Sequence, residues 1–228
     1  MSAKLLTYTP DPEQTVAAAA RLCYSAASID SLVEKSRSDR ESLLHKILEM
    51  GHFSVLEHVS FSFGVEGISR ACSHQLVRHR LASYSQQSQR YVSNKERFAA
   101  VTPPSIAGDE QLKARFDQLL DDIHTVYAEF LAAGVPAEDA RFVLPNAAET
   151  KIVVTMNARE LHHFFELRCC RRAQWEIQDM AREMLREVRK VAPLLFAKAG
   201  PGCLRGSCPE GKMTCGQAAE VRDEFSRL

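Results

Sequence analysis

The chain has 228 residues, with Lys plus Arg 29 and Asp plus Glu 29, so it carries no formal net charge. Hydrophobic residues make up 45% and charged residues 25%, the balance of a globular protein with a sizeable core, which excludes a disordered polyelectrolyte. Global neutrality also disfavours a coat for long nucleic acids, which needs a strongly basic surface.

In chain order, residues 11–25 read as a short Ala-rich helix after Asp11-Pro12-Glu13, and 39–48 as a second helix ending near Gly51. Residues 55–65 alternate, with Val55, Val59, Phe61, Phe63 and Val65 against polar neighbours, which predicts a strand with one buried face. Gly67 then opens a helical stretch from about Ser69 to His79, followed by a polar loop from Ser83 to Gln89. Residues 109–133 form a long amphipathic helix stopped by Gly134 and Pro136, and a short helix covers about 137–142. Lys151–Met156 is a buried-type strand. Asn157 caps the next helix, with Glu160 in the capping-box position, and the helical region runs to about Lys190. Many helices and few strands predict an α+β (α/β mixed) fold, with helices around a small, mainly antiparallel sheet rather than a doubly wound one. Residues 1–200 read as one domain and 201–228 as a Gly- and Cys-containing tail.

No apolar run follows a basic start between Met1 and Thr15, and no stretch approaches the roughly 18 apolar residues of a membrane span. With an odd count of seven Cys, this points to reduced thiols and a cytoplasmic location. Cys203, Cys208 and Cys215 are spaced C-x4-C-x6-C, one ligand short of a four-thiolate site, so no metal is expected. Cys169 and Cys170 carry no assigned chemistry.

The basic residues are 20 Arg and 9 Lys. Arg is the side chain of planar, bidentate contact with phosphate and carboxylate. Between Glu66 and Glu96 no acidic residue occurs, and the window 67–95 holds Arg70, Arg78, Arg80, Arg90 and Lys95, a local charge of +5. Ser83, Ser85, Gln86, Gln87, Ser88 and Gln89 supply neutral donors beside it. The window reads either as a phosphate site or as a solvated basic face. On a helix after Asn157, the residues Asn157, Leu161, Phe164, Phe165, Arg168, Arg172 and Trp175 share one face. Arg168 sits within that apolar stripe, either snorkelling to a salt bridge or aimed at an anionic ligand.

Arg78-His79-Arg80, seven residues and then Ser88 resembles the signature of the flavin-dependent thymidylate synthases. Further segments resemble that family in the same order: His52-Phe53-Ser54-Val55-Leu56-Glu57-His58, Gln75, Ala140-Arg141-Phe142-Val143-Leu144-Pro145, Asn157-Ala158-Arg159 through Leu167-Arg168, and Ala173–Ile177. The resemblance implies an enzyme that makes dTMP from dUMP by reductive methylation. Its carbon donor is 5,10-methylenetetrahydrofolate, its hydride carrier is FAD reduced by NADPH, and tetrahydrofolate is released. It implies a family-specific fold and a homotetramer with sites shared between subunits, without nucleic-acid or membrane partners.

By the same resemblance, Ser54, Arg78, His79, Arg80, Gln86, Asn157, Arg159 and His163 are cofactor-binding. Gln75, Arg78, Gln86, Gln87, Ser88, Gln89, Arg90, Arg141 and Arg168 bind substrate, with Ser88 and Arg90 suited to phosphate. Arg168 is the catalytic residue, activating the uracil ring. Many members have Asn-Glu where this chain has Ser85-Gln86, and Asn where it has His163. Ser88 as a covalent nucleophile lacks an adjacent general base and is read as a phosphate ligand. Two competing readings are a nucleic-acid-binding protein using window 67–95 and a family member that binds nucleotide without chemistry.

Overall fold

Alternating burial is the clearest local signal in the chain: Phe61, Phe63 and Val65 are buried while their neighbours Ser60 and Glu66 are exposed. In the computed structural model, which describes residues 1–92 and 97–228, this alternation forms an extended strand. Lys95 of the basic window lies outside the described residues.

The chain begins with β1 (Ser2–Tyr8), then α1 (Pro12–Leu22), α2 (Ile29–Ser38) and α3 (Arg40–Met50). A 3-10 segment (Phe53–His58) leads into β2 (Ser60–Ser69), α4 (Arg70–Leu76) and β3 (Ala82–Gln86). Next come α5 (Pro104–Ala107), α6 (Glu110–Ala132), α7 (Ala137–Ala140) and β4 (Glu149–Asn157). The chain closes with α8 (Ala158–Arg168), α9 (Trp175–Val191), α10 (Pro193–Phe196) and α11 (Ala218–Ser226). The strands pair in the order β1-β2-β4-β3, a small antiparallel sheet amid helices. The architecture is the expected α+β.

Several local readings differ. The alternation over 55–65 begins one element early: residues 53–58 wind as 3-10 helix, although Val55 and Leu56 are buried. Gly67 lies inside β2 with φ 72 rather than opening a helix. A Cβ there would approach the Met1 Cα to 2.9 Å, so both conformation and space require glycine. The Ser/Gln stretch expected as a loop begins as β3, whose side chains alternate in burial. The helix after Asn157 stops at Arg168, and the chain turns before Gln174 caps α9 through the Glu176 and Ile177 amides. Arg172 and Trp175 therefore lie off the Arg168 helix. No Gly or Pro marks this break, and local hydrogen bonds such as Ala173 N–H to the Cys170 carbonyl make it.

By internal contacts the chain divides into two units. One comprises Met1, 65–78 and 85–153; the other comprises 2–64, 79–84 and 154–228. In the first, Phe98, Leu120 and Ala148 form a core against Phe116, Ile123 and Leu144. In the second, α9 buries Ile177, Met180, Ala181, Met184, Leu185 and Val188, an i, i+3, i+4 stripe. Phe61 and Phe165 meet the edge of Phe196, at centroid distances of 5.4 and 6.0 Å. Burying such rings contributes ~1.5–3 kcal/mol each by transfer.

Candidate active site

The first unit gathers donors around the start of α4 and the end of β3. The Ser69 hydroxyl accepts from the Cys72 amide and fixes where α4 begins. Gln86 donates from Nε2 to the Ser73 hydroxyl at 2.9 Å and to the Thr150 hydroxyl at 3.2 Å. The Gln87 amide donates to the Lys151 carbonyl at 2.9 Å, tying this end of β3 to β4. The Ser88 hydroxyl accepts from the Arg90 amide at 3.1 Å. Arg90 is exposed and donates from Nε to Glu138 at 2.7 Å. Gln75 and Gln89 are half-buried, and Arg78 and Gln87 are exposed.

Arg70 was not among the expected site residues. Its guanidinium is held below its usual pKa by burial and by the nearby Arg141 guanidinium. Among the described residues no carboxylate pairs with Arg70. Two cations brought together without a counter-ion are relieved by an anion, which suits a phosphate or other small anionic group. The signal was present in the acid-free window, but spacing could not bring Arg141 to it.

The second unit holds a different arrangement. His79 is buried, at 5% exposure. Its Nε2 accepts from the Arg168 Nε–H at 3.0 Å, and its Nδ1 lies 3.2 Å from Glu160 Oε1. The guanidinium cannot accept, so Nε2 keeps its lone pair and Nδ1–H donates to the carboxyl group. Burial, then Arg168, then His163 lower the His79 pKa to about 4, so the ring is neutral near pH 7. Burial raises the Glu160 pKa, against a smaller lowering by His163. Tyr84 donates its hydroxyl to the His79 carbonyl at 2.7 Å, and burial and Glu160 push its own pKa to about 12. The edge of Phe164 packs on the His79 ring at 4.9 Å.

The result is a chain from Glu160 through neutral His79 to half-buried Arg168. The capping signal placed Glu160 correctly: its amide donates to the Asn157 Oδ1 at 2.8 Å. What the sequence did not reveal is that its carboxyl group orients His79. His163 is exposed and meets the His79 ring edge at 5.9 Å. Ser54 and Arg80 are exposed, and exposed Arg159 pairs with Glu57. Asn157 spends its carbonyl oxygen on the α8 cap, which leaves its amide N–H groups as donors.

The expected residues thus fall into two sets. Gln75, Arg78, Gln86–Arg90 and Arg141 belong to the first unit; Ser54, His79, Arg80, Asn157, Arg159, His163 and Arg168 belong to the second. A family model described as thymidylate synthase complementing protein matches residues 4–194. The chain belongs to this family. It is also 61% identical over 230 residues to a flavin-dependent thymidylate synthase of Geobacter sulfurreducens, covering 100% of this chain and 99% of that one. Proteins of the same name from Clostridium tetani (47% identical; 96% of this chain and 94% of that one) and Pyrococcus furiosus (47%; 90% and 88%) are similar over nearly their whole length. Membership in the thymidylate synthase complementing family, together with the offset of Arg90 by Glu138, leaves the nucleic-acid reading of window 67–95 without support. Among the described residues, no helix of this family member is long and apolar enough to cross a membrane.

Proposed function

We propose that this protein converts dUMP to dTMP by reductive methylation, with 5,10-methylenetetrahydrofolate as carbon donor and tetrahydrofolate as product. FAD, reduced by NADPH, supplies the hydride when bound. The observation that carries this reading is the Glu160–His79–Arg168 chain beside the matched family motifs. His79 fixes one edge of the guanidinium, and Arg168, oriented in this way, faces the uracil. A cation at N3 and its carbonyl stabilises negative charge on the ring and makes the ring carbon more nucleophilic. Neutral His79 suits this role, because an imidazolium could not accept from Arg168 and would repel it.

Arg78, Arg141, Ser88 and Arg90, with Gln75, Gln86, Gln87 and Gln89, bind the nucleotide. Arg70 joins them as a second cation beside Arg141. The donor set of the second unit fits a flavin dinucleotide: exposed Arg80 and Arg159 with the Ser54 hydroxyl match pyrophosphate, and the Asn157 amide matches a carbonyl acceptor. His79, His163, Arg78 and Gln86 complete the cofactor-binding set. The active enzyme is a cytoplasmic homotetramer whose sites are shared between subunits, and residues 1–200 form its catalytic domain.

The test is an anaerobic assay with dUMP, FAD, NADPH and 5,10-methylenetetrahydrofolate. Expected are a yellow protein that releases FAD on denaturation and equal yields of dTMP and tetrahydrofolate. A colourless protein that cannot be reconstituted with FAD, or one that yields no dTMP, would overturn the proposal.

A further inference from the structure

Four of the seven cysteines line one cavity in the second unit, away from the Glu160–His79–Arg168 chain in role. Cys170, Cys203, Cys208 and Cys215 all face a space of about 120 Å³. Three come from the C-terminal segment with its C-x4-C-x6-C spacing, and the fourth comes from the turn between α8 and α9. That fourth member is what spacing alone could not supply. All seven thiols are free.

The segment around them is held mainly by polar contacts, among them ion pairs of Arg205 with Glu166 and of Arg171 and Arg182 with Glu224. Between Gly202 and Met213 its regular structure is two short 3-10 turns, and from Pro201 to the end its buried apolar side chains are few: Pro201, Cys203, Val221 and Phe225. So small a loop-rich segment ordinarily needs a staple. Its backbone is nevertheless pinned, with Arg222 donating to the Cys203 carbonyl at 2.9 Å and to the Gly206 carbonyl at 2.7 Å. Gly211 and Gly216 adopt left-handed φ of 52 and 74, which turns the chain between and after the cysteines. Arg171 also lines the cavity and brings a cation to it.

We propose that Cys170, Cys203, Cys208 and Cys215 ligate a metal centre that takes soft thiolates, either one tetrahedral zinc ion or an iron–sulfur cluster. Four thiolates are the ligand set of both, and the Cys203–Cys208 spacing falls within the usual range for a structural pair. Among the described residues no three His, Cys, Asp or Glu side chains already stand as a metal-binding group. The thiols ring the cavity, and ligation turns them inward and releases their protons. The centre ties the C-terminal segment to the end of α8.

The test uses the full FAD-loaded chain, purified anaerobically, with zinc, iron and acid-labile sulfide measured per chain. Stoichiometric zinc without sulfide identifies the ion, and iron with matching sulfide identifies the cluster. Cys208→Ser and Cys215→Ser are expected to lose the metal, whereas Cys23→Ser, at an exposed thiol outside the cavity, keeps it. A second readout does not depend on variants folding: in native wild-type protein Cys208 and Cys215 resist alkylation until a chelator is added. Wild-type protein that holds neither metal after reconstitution, retention in both variants, or alkylation indifferent to chelator would each overturn the proposal.

Discussion

The proposed nucleotide-binding set of the first unit and the arginine–histidine chain of the second are held in opposite ways. Arg90 and Glu138 are both about half exposed, and their ion pair is screened by water. His79 and Glu160 are nearly sealed, with side-chain exposures of 3% and 6%, and each group's ionisation is set chiefly by that burial. A screened cation can exchange its carboxylate for a phosphate at little cost. A sealed hydrogen-bonded chain cannot rearrange cheaply, but it holds one guanidinium in one orientation. The first arrangement suits binding, and the second suits a group that must meet developing charge.

This division sets out graded expectations. Arg168→Ala is expected to lower turnover by about 100-fold or more, the scale for a donor to developing negative charge, while FAD stays bound. Arg168→Lys is also expected to be poor, because a point charge does not reproduce the planar fork. Steady-state dTMP formation and flavin absorbance measure both. Glu160→Leu leaves the His79 Nδ1–H buried without its acceptor. The expected loss is ~1–3 kcal/mol of stability, read by denaturant titration, with lower kcat. An unchanged midpoint would show that His79 finds another acceptor.

Arg90→Ala is expected to raise the dUMP dissociation constant by about 10-fold, the equivalent of ~1.4 kcal/mol, with kcat nearly kept. A loss confined to kcat would erase the distinction between the two sets. The mildest expectation concerns pH. The folded pKa values of His79 and His162 are both lowered to about 4 from 6.5, so the unfolded chain binds more protons between those values. Stability is therefore present above about pH 6.5 and is lost as pH falls towards 4, which thermal melts across that range would record.

Much of this was legible in the sequence because it was local. Asn157 announced the α8 cap, Gly51 ended α3, and Gly134, with φ 85, followed the end of α6. The motif Arg78-His79-Arg80 likewise singled out His79, which the structure buries and hydrogen-bonds to Arg168. What escaped notice depends on contacts distant in sequence. Helix α2 was missed because its apolar stripe is thin, with only Leu32 and Ser36 buried. Glu160 meets His79 across 81 positions, and no periodicity encodes that distance. Arg70 and Arg141 are likewise joined only by the fold, as are Cys170 and the three C-terminal cysteines.

The most direct test of the division between binding and chemistry is a single-turnover comparison of wild type with Arg168→Ala. Each enzyme, with reduced flavin, is mixed with saturating dUMP and 5,10-methylenetetrahydrofolate, and dTMP is quantified as the flavin reoxidises. Wild type is expected to form dTMP in step with flavin oxidation, and Arg168→Ala to retain its flavin but form essentially none. Near-normal dTMP formation by the variant would contradict the account.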